Sequence, residues 1–157
     1  MKEANITVPI LAAQYNELDA NDRKLIDTAR EATTRSYAPY SRFRVGAAIL
    51  LDNGEIVAGS NQENAAFPSG LCAERTAAFY AHSRYPDAKF LTIAIAAIGT
   101  DGQEIPAPIA PCGACRQSLL EYETLAGHDV RVLLAGRNEI FLIPGIRHLL
   151  PVTFSEF

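Results

Sequence analysis

The sequence predicts an α/β fold, a three-layer sandwich of helices around a mixed five-stranded β-sheet. Three observations favour it. Segments with helical and with strand-like apolar patterns follow one another along the chain, and Asn53-Gly54 marks a tight hairpin between two early strands. Only about three residues around Gly136 separate the last two predicted strands, 130–135 and 139–143. Because a parallel pair needs a longer crossover, we expect these two strands to be antiparallel neighbours.

The first predicted element is a helix over residues 19–36. Asp19 or Asn21 is suited to cap its N-terminus, and Pro39 lies beyond its end. One face of the helix is apolar at helical spacing, and is formed by Leu25, Ile26, Ala29 and Ala32.

Five further elements precede the final hairpin. In chain order they are strands at 45–51 and 55–59, a helix at 72–84, a buried strand at 90–98 and a helix at 112–123. We expect the two later helices to lie side by side on one face of the sheet. Both would start at the carboxyl ends of adjacent strands, which is a usual place for ligand sites in open sheets.

Composition predicts one domain over residues 1–157, with residues 1–16 as an N-terminal arm, since 48% of the chain is hydrophobic and no linker divides it. A net charge of −4 with only 14 Lys and Arg is a poor match for a phosphate backbone, so we expect no nucleic-acid partner. The apolar run at 6–13 is too short for a signal peptide or a membrane span. We therefore expect a cytoplasmic protein with reduced thiols and no membrane partner.

The cysteines carry the strongest chemical signal. All three fall in two short segments, Cys72-Ala73-Glu74 and the PCGAC run at 111–115. Cys112 and Cys115 are three positions apart, so on the first turn of a helix they would face one side and could bind one ion. Three thiolates leave a tetrahedral Zn²⁺ with one open position, which is typical of a catalytic site.

Charged residues next to the cysteines indicate how such a site would work. Glu74 lies close to the expected metal without being needed as a ligand, so we expect it to move protons. Arg75 and Arg116 each directly follow a site residue. A guanidinium that donates to a ligand sulfur would offset the negative charge of three thiolates, and we expect this first of Arg75 and second of Arg116.

Four blocks of the chain together resemble one protein family. They read YAPYSRFRVGAA at 37–48, NQENAAF at 61–67, CAERTA at 72–77 and PCGACRQ at 111–117. These blocks are similar to those of the three-cysteine, homotetrameric cytidine deaminases of pyrimidine salvage. Zinc deaminases share an H-x-E and P-C-x-x-C signature, and here Cys72 stands in place of the histidine. The resemblance runs from about residue 22 to residue 154.

The resemblance implies a chemistry and a site. Its members use one Zn²⁺ per chain to convert cytidine and 2'-deoxycytidine hydrolytically to uridine and 2'-deoxyuridine. The metal ligands would be Cys72, Cys112 and Cys115, and Glu74 would be the catalytic proton shuttle.

Substrate contacts are implied in the same way. Asn61 and Glu63 would hold the ribose 3'-hydroxyl, and Phe43 would lie against the pyrimidine ring. Phe154 would complete the active site of a neighbouring subunit in a homotetramer. We also expect the backbone N–H of Ala73, at a helix start, to donate to the pyrimidine O2. Tyr40 is expected to have a structural role in the loop that carries Phe43.

Other functions stay open at this point. A non-catalytic zinc module would close the metal site with a fourth ligand, and a dithiol redox protein would use Cys112 and Cys115 alone. Within the deaminases, an enzyme acting on an aminonucleoside such as blasticidin S has the same zinc blocks. The antiparallel final hairpin favours deaminases of free nucleosides over those of polynucleotides, because the resemblance implies a parallel connection in the latter.

Overall fold

A mixed β-sheet lies at the centre of the computed structural model, which describes residues 1–155. Its strands are β1 (Leu11–Ala13), β2 (Arg44–Leu51), β3 (Ile56–Ser60), β4 (Phe90–Ile98), β5 (Arg131–Ala135) and β6 (Ile140–Ile143). They lie in the order β1-β6-β5-β4-β2-β3, with β4 and β5 parallel and the other neighbours antiparallel. Positions 156 and 157 of the expected domain lie outside the described residues.

In the described part of the chain, three α-helices cover the two faces of this sheet. They are α1 (Ala20–Ala32), α2 (Ala73–Arg84) and α3 (Gly113–Ala126). The carboxylate of Asp19 accepts the backbone N–H of Asp22 at 2.8 Å and so caps α1, as expected. One apolar core lies between α1 and the sheet, and a larger one lies between the sheet and the pair α2 and α3. The expected α/β arrangement around a mixed sheet is therefore present, with α2 and α3 on the same side.

The expected count of five strands is wrong, because the N-terminal arm adds a sixth. Leu11 lies opposite Leu142 and Ala13 opposite Ile140, so β1 pairs antiparallel with the outer side of β6. Pairing with the arm satisfies backbone groups that β6 would otherwise leave open at the edge of the sheet.

The start points of α2 and α3 follow from the directions of β3 and β4. Both strands pair antiparallel with β2, which lies between them, so both run the same way and end at the same side of the sheet. The expectation that the two helices follow adjacent strands is wrong, since β2 separates β3 from β4. A Cβ atom on Gly59 would lie 2.5 Å from the backbone N of Ala77, so only glycine lets α2 pack this closely on β3.

On the opposite face, an ion pair ties α1 to the sheet. The guanidinium of Arg131 at the start of β5 donates to both carboxylate oxygens of Asp22, at 3.1 and 2.7 Å. Among residues 1–155, none of the helices is both long enough and apolar enough to cross a membrane.

Candidate functional site

The three cysteines converge at the starts of α2 and α3. Cys72 is the residue before α2, Cys112 is the residue before α3, and Cys115 lies on the first turn of α3. Their sulfur atoms all lie within 4.8 Å of one another, and Cys72 Sγ is 3.9 Å from Cys112 Sγ. Two sulfurs bound to a tetrahedral zinc ion at about 2.3 Å are roughly 3.8 Å apart, so the donor set fits one such ion.

The cluster leaves room for a fourth ligand from outside the chain. Within residues 1–155, no further Cys, His, Asp or Glu joins the three sulfurs. Cys115 is buried, Cys72 is half-buried and Cys112 is exposed, so the cluster is open towards solvent on one side. This arrangement is typical of a catalytic metal site rather than of a closed structural one.

The surroundings of Cys72 favour its thiolate. A hydrogen bond from the Cys115 thiol and one from Arg75 lower the pKa of Cys72 to about 5. The hydrogen bond that Cys115 donates to Cys72 raises the pKa of Cys115, which keeps its proton. Arg75 Nη2 donates to Cys72 Sγ at 3.8 Å, as expected of a guanidinium that offsets thiolate charge. Neither α2 nor α3 has a side-chain cap, so the positive ends of both helices also face this group.

Glu74 is buried beside the cysteines, and one of its two carboxyl oxygens has no hydrogen-bond partner in the described chain. Its side chain is almost fully enclosed, with 4% of the residue exposed, and burial raises its pKa. Within the described chain, Glu74 Oε2 has no hydrogen-bond partner. Buried carboxyl oxygens are rarely left in this state, so the geometry favours a bound group next to Glu74. Burial favours the protonated form of this carboxyl, so Glu74 holds a proton more readily than an exposed glutamate does.

A cavity of about 530 Å³ opens next to Cys72 and Arg75. This volume is typical of pockets for small molecules. Asn61 and Glu63 also line it, so the structure brings two of the expected substrate residues to the metal cluster. Further lining residues are Tyr40, Ser41, Gln62, Asn64, Phe67, Gly70 and Leu71.

Asn61 also holds the loop that precedes β2. Its Oδ1 accepts from the Ser36 hydroxyl and from the backbone N–H of Val45 at 2.8 Å, while its Nδ2 donates to the carbonyl of Phe43 at 3.0 Å. An amide nitrogen has two hydrogens, so these contacts leave one for a ligand in the cavity.

Glu63 likewise lines the cavity and also holds a turn of the same loop. Its Oε2 accepts the backbone N–H groups of Tyr40 and Ser41, at 2.9 and 3.2 Å. The Ser41 hydroxyl and these N–H groups lower the pKa of Glu63, so it stays ionised. The turn that it holds contains Arg42 in the left-handed region, with φ of 56°. The second carboxylate oxygen of Glu63 takes no part in these two contacts.

The two expected aromatic contacts are not made within one chain. Phe43 is half-buried and Phe154 is 70% exposed, and neither lines the cavity. The carbonyl of Phe154 accepts from Gln117 of α3 at 2.8 Å. Ala73 is buried at the first position of α2, next to Cys72, as expected.

One role inferred from the sequence needs correction. Within the described residues, Arg116 does not donate to a sulfur atom: its Nε donates to the carbonyl of Pro111 at 2.8 Å and its Nη1 to that of Leu149 at 2.9 Å. Tyr40, expected to be structural, also lines the cavity, where its ring meets that of Phe67 edge-on at 5.7 Å. Both aromatic residues lie in blocks that carry the family resemblance, which is the one signal that could have indicated them.

Comparison with known proteins identifies the family. A family model described as "Cytidine and deoxycytidylate deaminase zinc-binding region" matches residues 19–126. A cytidine deaminase from Sporosarcina psychrophila is 44% identical over 133 residues, which are 85% of this chain and 90% of that protein. A cytidine deaminase from Halalkalibacterium halodurans is 38% identical over 131 residues, which are 83% and 92% of the two chains.

Solved structures agree with the sequence relatives. The crystal structure of cytidine deaminase from Burkholderia pseudomallei superposes with a TM-score of 0.72 at 34% identity, covering 87% of this chain and 100% of that one. The crystal structure of cytidine deaminase from Mycobacterium tuberculosis gives a TM-score of 0.65 at 33% identity, covering 88% and 100%. The α/β fold, the three-thiol cluster and these relatives agree, and the chain belongs to the cytidine and deoxycytidylate deaminase family.

Proposed function

We propose that this protein catalyses the hydrolytic deamination of cytidine and 2'-deoxycytidine to uridine and 2'-deoxyuridine, with release of ammonia, in pyrimidine salvage. The observation that carries the proposal is the buried Glu74 carboxyl with an unpartnered oxygen, next to three convergent thiols. The names of the relatives, all cytidine deaminases, support the same reaction.

Cys72, Cys112 and Cys115 would hold one Zn²⁺ per chain. The sulfur separations and the matching zinc-binding family region support this assignment. When bound there, zinc supplies a Lewis acid with one open coordination position, which makes a water molecule acidic enough to attack near neutral pH. Arg75 offsets the charge of the Cys72 thiolate through its hydrogen bond to the sulfur.

Glu74 performs both proton transfers in this proposal. Its carboxylate takes a proton from the attacking water and delivers it to N3 of the pyrimidine, which makes C4 more electrophilic. The same group, again a carboxylate, then takes the remaining proton from the hydroxyl on C4 and passes it to the 4-amino group, which leaves as ammonia. One water is consumed, the C4–N bond breaks and a C4–O bond forms. The raised pKa of Glu74 suits a group that must act first as base and then as acid.

Residues of the cavity would orient the nucleoside. The free amide hydrogen of Asn61 and the second carboxylate oxygen of Glu63 are donor and acceptor for the ribose 3'-hydroxyl. The N–H of Ala73 would donate to O2 of the base, since the first N–H groups of a helix have no partner within it. Phe43, in the loop that Asn61 holds through the Phe43 carbonyl, would contact the pyrimidine ring.

We further propose a cytoplasmic homotetramer in which Phe154 completes the site of a neighbouring subunit. Phe154 is exposed and does not line the cavity of its own chain, which supports this placement. Three free thiols fit a reducing compartment. The single domain would span residues 1–157 with its N-terminal arm, and the partners would be small nucleosides rather than nucleic acids or membranes.

The test is an ultraviolet absorbance assay of purified, zinc-loaded protein with four compounds in parallel: cytidine, 2'-deoxycytidine, adenosine and blasticidin S. We expect turnover of the first two alone. Turnover of blasticidin S alone would overturn the cytidine assignment in favour of another aminonucleoside. No turnover of any compound, by protein that carries one zinc per chain, would overturn the proposed reaction.

A further inference from the structure

We propose that Arg116 is a positioning residue for Cys112: it fixes the peptide group in front of this thiol and thereby sets how tightly the cluster holds zinc. The inference rests on the proposed zinc site and concerns a residue that, among the described residues, donates no hydrogen bond to a sulfur atom and does not line the cavity.

The contacts of Arg116 are specific and directed at the backbone. Its Nε donates to the carbonyl of Pro111 at 2.8 Å, and its Nη1 donates to the carbonyl of Leu149 at 2.9 Å. The Pro111 carbonyl and the Cys112 nitrogen belong to one planar peptide group, so a bond that orients the carbonyl also orients the start of Cys112. The fixed fork of a guanidinium lets one side chain bind both carbonyls in a defined geometry.

Cys112 needs such support more than the other two cysteines do. Cys115 is buried within α3 and Cys72 is half-buried, but Cys112 is exposed. It lies before α3 in an extended conformation, with φ of −65° and ψ of 164°, and it follows residues 99–111, which contain no helix or strand. Packing therefore does little to fix this thiol. On its C-terminal side the Cys112 carbonyl accepts the backbone N–H of Arg116 at 3.0 Å, and on its N-terminal side the Arg116 side chain holds the Pro111 carbonyl.

The Leu149 carbonyl, the second acceptor of Arg116, is held in place because the buried carboxylate of Glu123 binds the segment that contains Leu149. Leu149 ends a 3₁₀ turn, Ile146–Leu149. Glu123 of α3 accepts the backbone N–H of Ile146 at 2.6 Å, the backbone N–H of Arg147 at 3.1 Å and the Arg147 side chain at 3.0 Å. Glu123 is 1% exposed, so its carboxylate and the two backbone N–H bonds that it accepts are shielded from solvent, whereas the Arg147 side chain is 56% exposed.

The two side chains act from one helix. Arg116 and Glu123 are seven positions apart, which places them on the same face of α3, two turns from each other. Glu123 holds the 146–149 turn, that turn presents the Leu149 carbonyl, and Arg116 joins this carbonyl to Pro111. Cys112, before the first residue of α3, is thereby linked to Glu123, the buried carboxylate in the last turns of the same helix.

The matched test compares two Arg→Met variants that each lose two guanidinium hydrogen bonds. Arg116→Met loses those to Pro111 and Leu149, whereas Arg131→Met loses those to Asp22 on the α1 side of the sheet. Zinc-loaded proteins are titrated with a chromogenic zinc chelator to obtain the zinc dissociation constant. Changes in groups that orient metal ligands commonly weaken metal binding by about 10–100-fold. We expect that loss for Arg116→Met and less than about threefold for Arg131→Met.

A spectroscopic readout separates positioning from general destabilisation. With Co²⁺ in place of zinc, absorption from sulfur-to-metal charge transfer reports how many thiolates bind and how they are arranged. We expect Arg116→Met to alter this band and Arg131→Met to leave it unchanged. Arg116→Lys keeps the charge but lacks the forked guanidinium, so it should also weaken zinc binding. If Arg116→Met does not fold, the zinc dissociation constant and the cobalt band of Arg116→Lys test the role of Arg116 instead.

The outcomes are distinguishable from failure of the proposed function. Wild-type protein that binds zinc, together with Arg116 variants within threefold of it and with an unchanged cobalt band, would overturn the role of Arg116 alone. Equal weakening of zinc binding by Arg131→Met would also overturn this role, because the loss would then reflect a general loss of stability. Wild-type protein that binds no zinc would instead overturn the proposed metal site itself.

Discussion

Cys72 Sγ and Cys112 Sγ lie 3.9 Å apart although 40 positions separate the two residues in the chain. Two features of the sheet bring them together. β3 and β4 run in the same direction on either side of β2, so the segments that follow them emerge at the same side. α2 and α3 then pack on the same face, and each begins directly after a cysteine. The site is therefore a product of strand order as much as of the cysteine motif.

Zinc removal should lower both activity and stability. Ligand binding to the folded state alone stabilises a protein by about 2.7 kcal/mol when the free ligand is at 100 times its Kd. For a chain of this size, that corresponds to a shift in Tm of roughly 5–10 °C. We expect a chelator to lower Tm by this order, and added zinc to restore both Tm and turnover. Thermal melts that do not change on chelation would contradict the metal site.

Substitution of Cys115 should affect metal binding and stability together. Cys115 is the buried cysteine of the three, so Cys115→Ala removes a ligand and leaves a small space in the packed start of α3. We expect the purified variant to contain much less than one zinc per chain and to melt below the wild type. Measured zinc content equal to that of the wild type would show that the other two thiols suffice.

Gly59 should be intolerant of any side chain. A Cβ at this position would meet the backbone of α2, which cannot move without displacing Cys72 at the start of the helix. We expect Gly59→Ala to lower the free energy of unfolding by about 1–3 kcal/mol in urea titrations. Ala58→Ser, at the exposed neighbouring position of β3, is the control and should change it by less than about 0.5 kcal/mol. Equal effects of both changes would argue against close packing of α2 on β3.

Glu63 should matter for substrate affinity more than for the chemical step. It holds the turn that contains Tyr40 and Ser41 and lines the cavity, and it is not a member of the three-thiol cluster. We expect Glu63→Ala to raise KM for cytidine at least about tenfold while kcat falls by a smaller factor. Steady-state kinetics with 2'-deoxycytidine should give the same pattern, because the proposed contact is with the 3'-hydroxyl. A variant with unchanged KM would contradict a ribose-binding role.

Some strands of the sheet can be predicted from the local sequence pattern, and others cannot. The buried strand predicted at 90–98 coincides with β4, because a long apolar run carries its own signal. β1 has three residues and exists through its pairing with β6, which no local pattern reports. The insertion of β2 between β3 and β4 is likewise set by the packing of the whole sheet.

Side-chain direction sets a similar limit for the site. The convergence of Cys112 and Cys115 follows from their spacing on a helix, and the approach of Arg75 to Cys72 follows from a spacing of three. Arg116 was expected to approach a sulfur but turns to Leu149, 33 positions further along the chain. A long side chain is directed by partners that the fold supplies, and these are not encoded near it in the sequence.

The central claim is that Glu74 moves the protons of a zinc-dependent deamination. The most direct measurement is made on Glu74→Gln and consists of kcat/KM for cytidine and the zinc content of the purified variant. The control is Glu121→Gln, which changes an exposed glutamate on α3. General acid–base catalysis is commonly worth about 10²–10⁴-fold, so we predict a loss of at least that order with one zinc retained per chain, and no loss for the control. Near-normal turnover by Glu74→Gln would contradict the account.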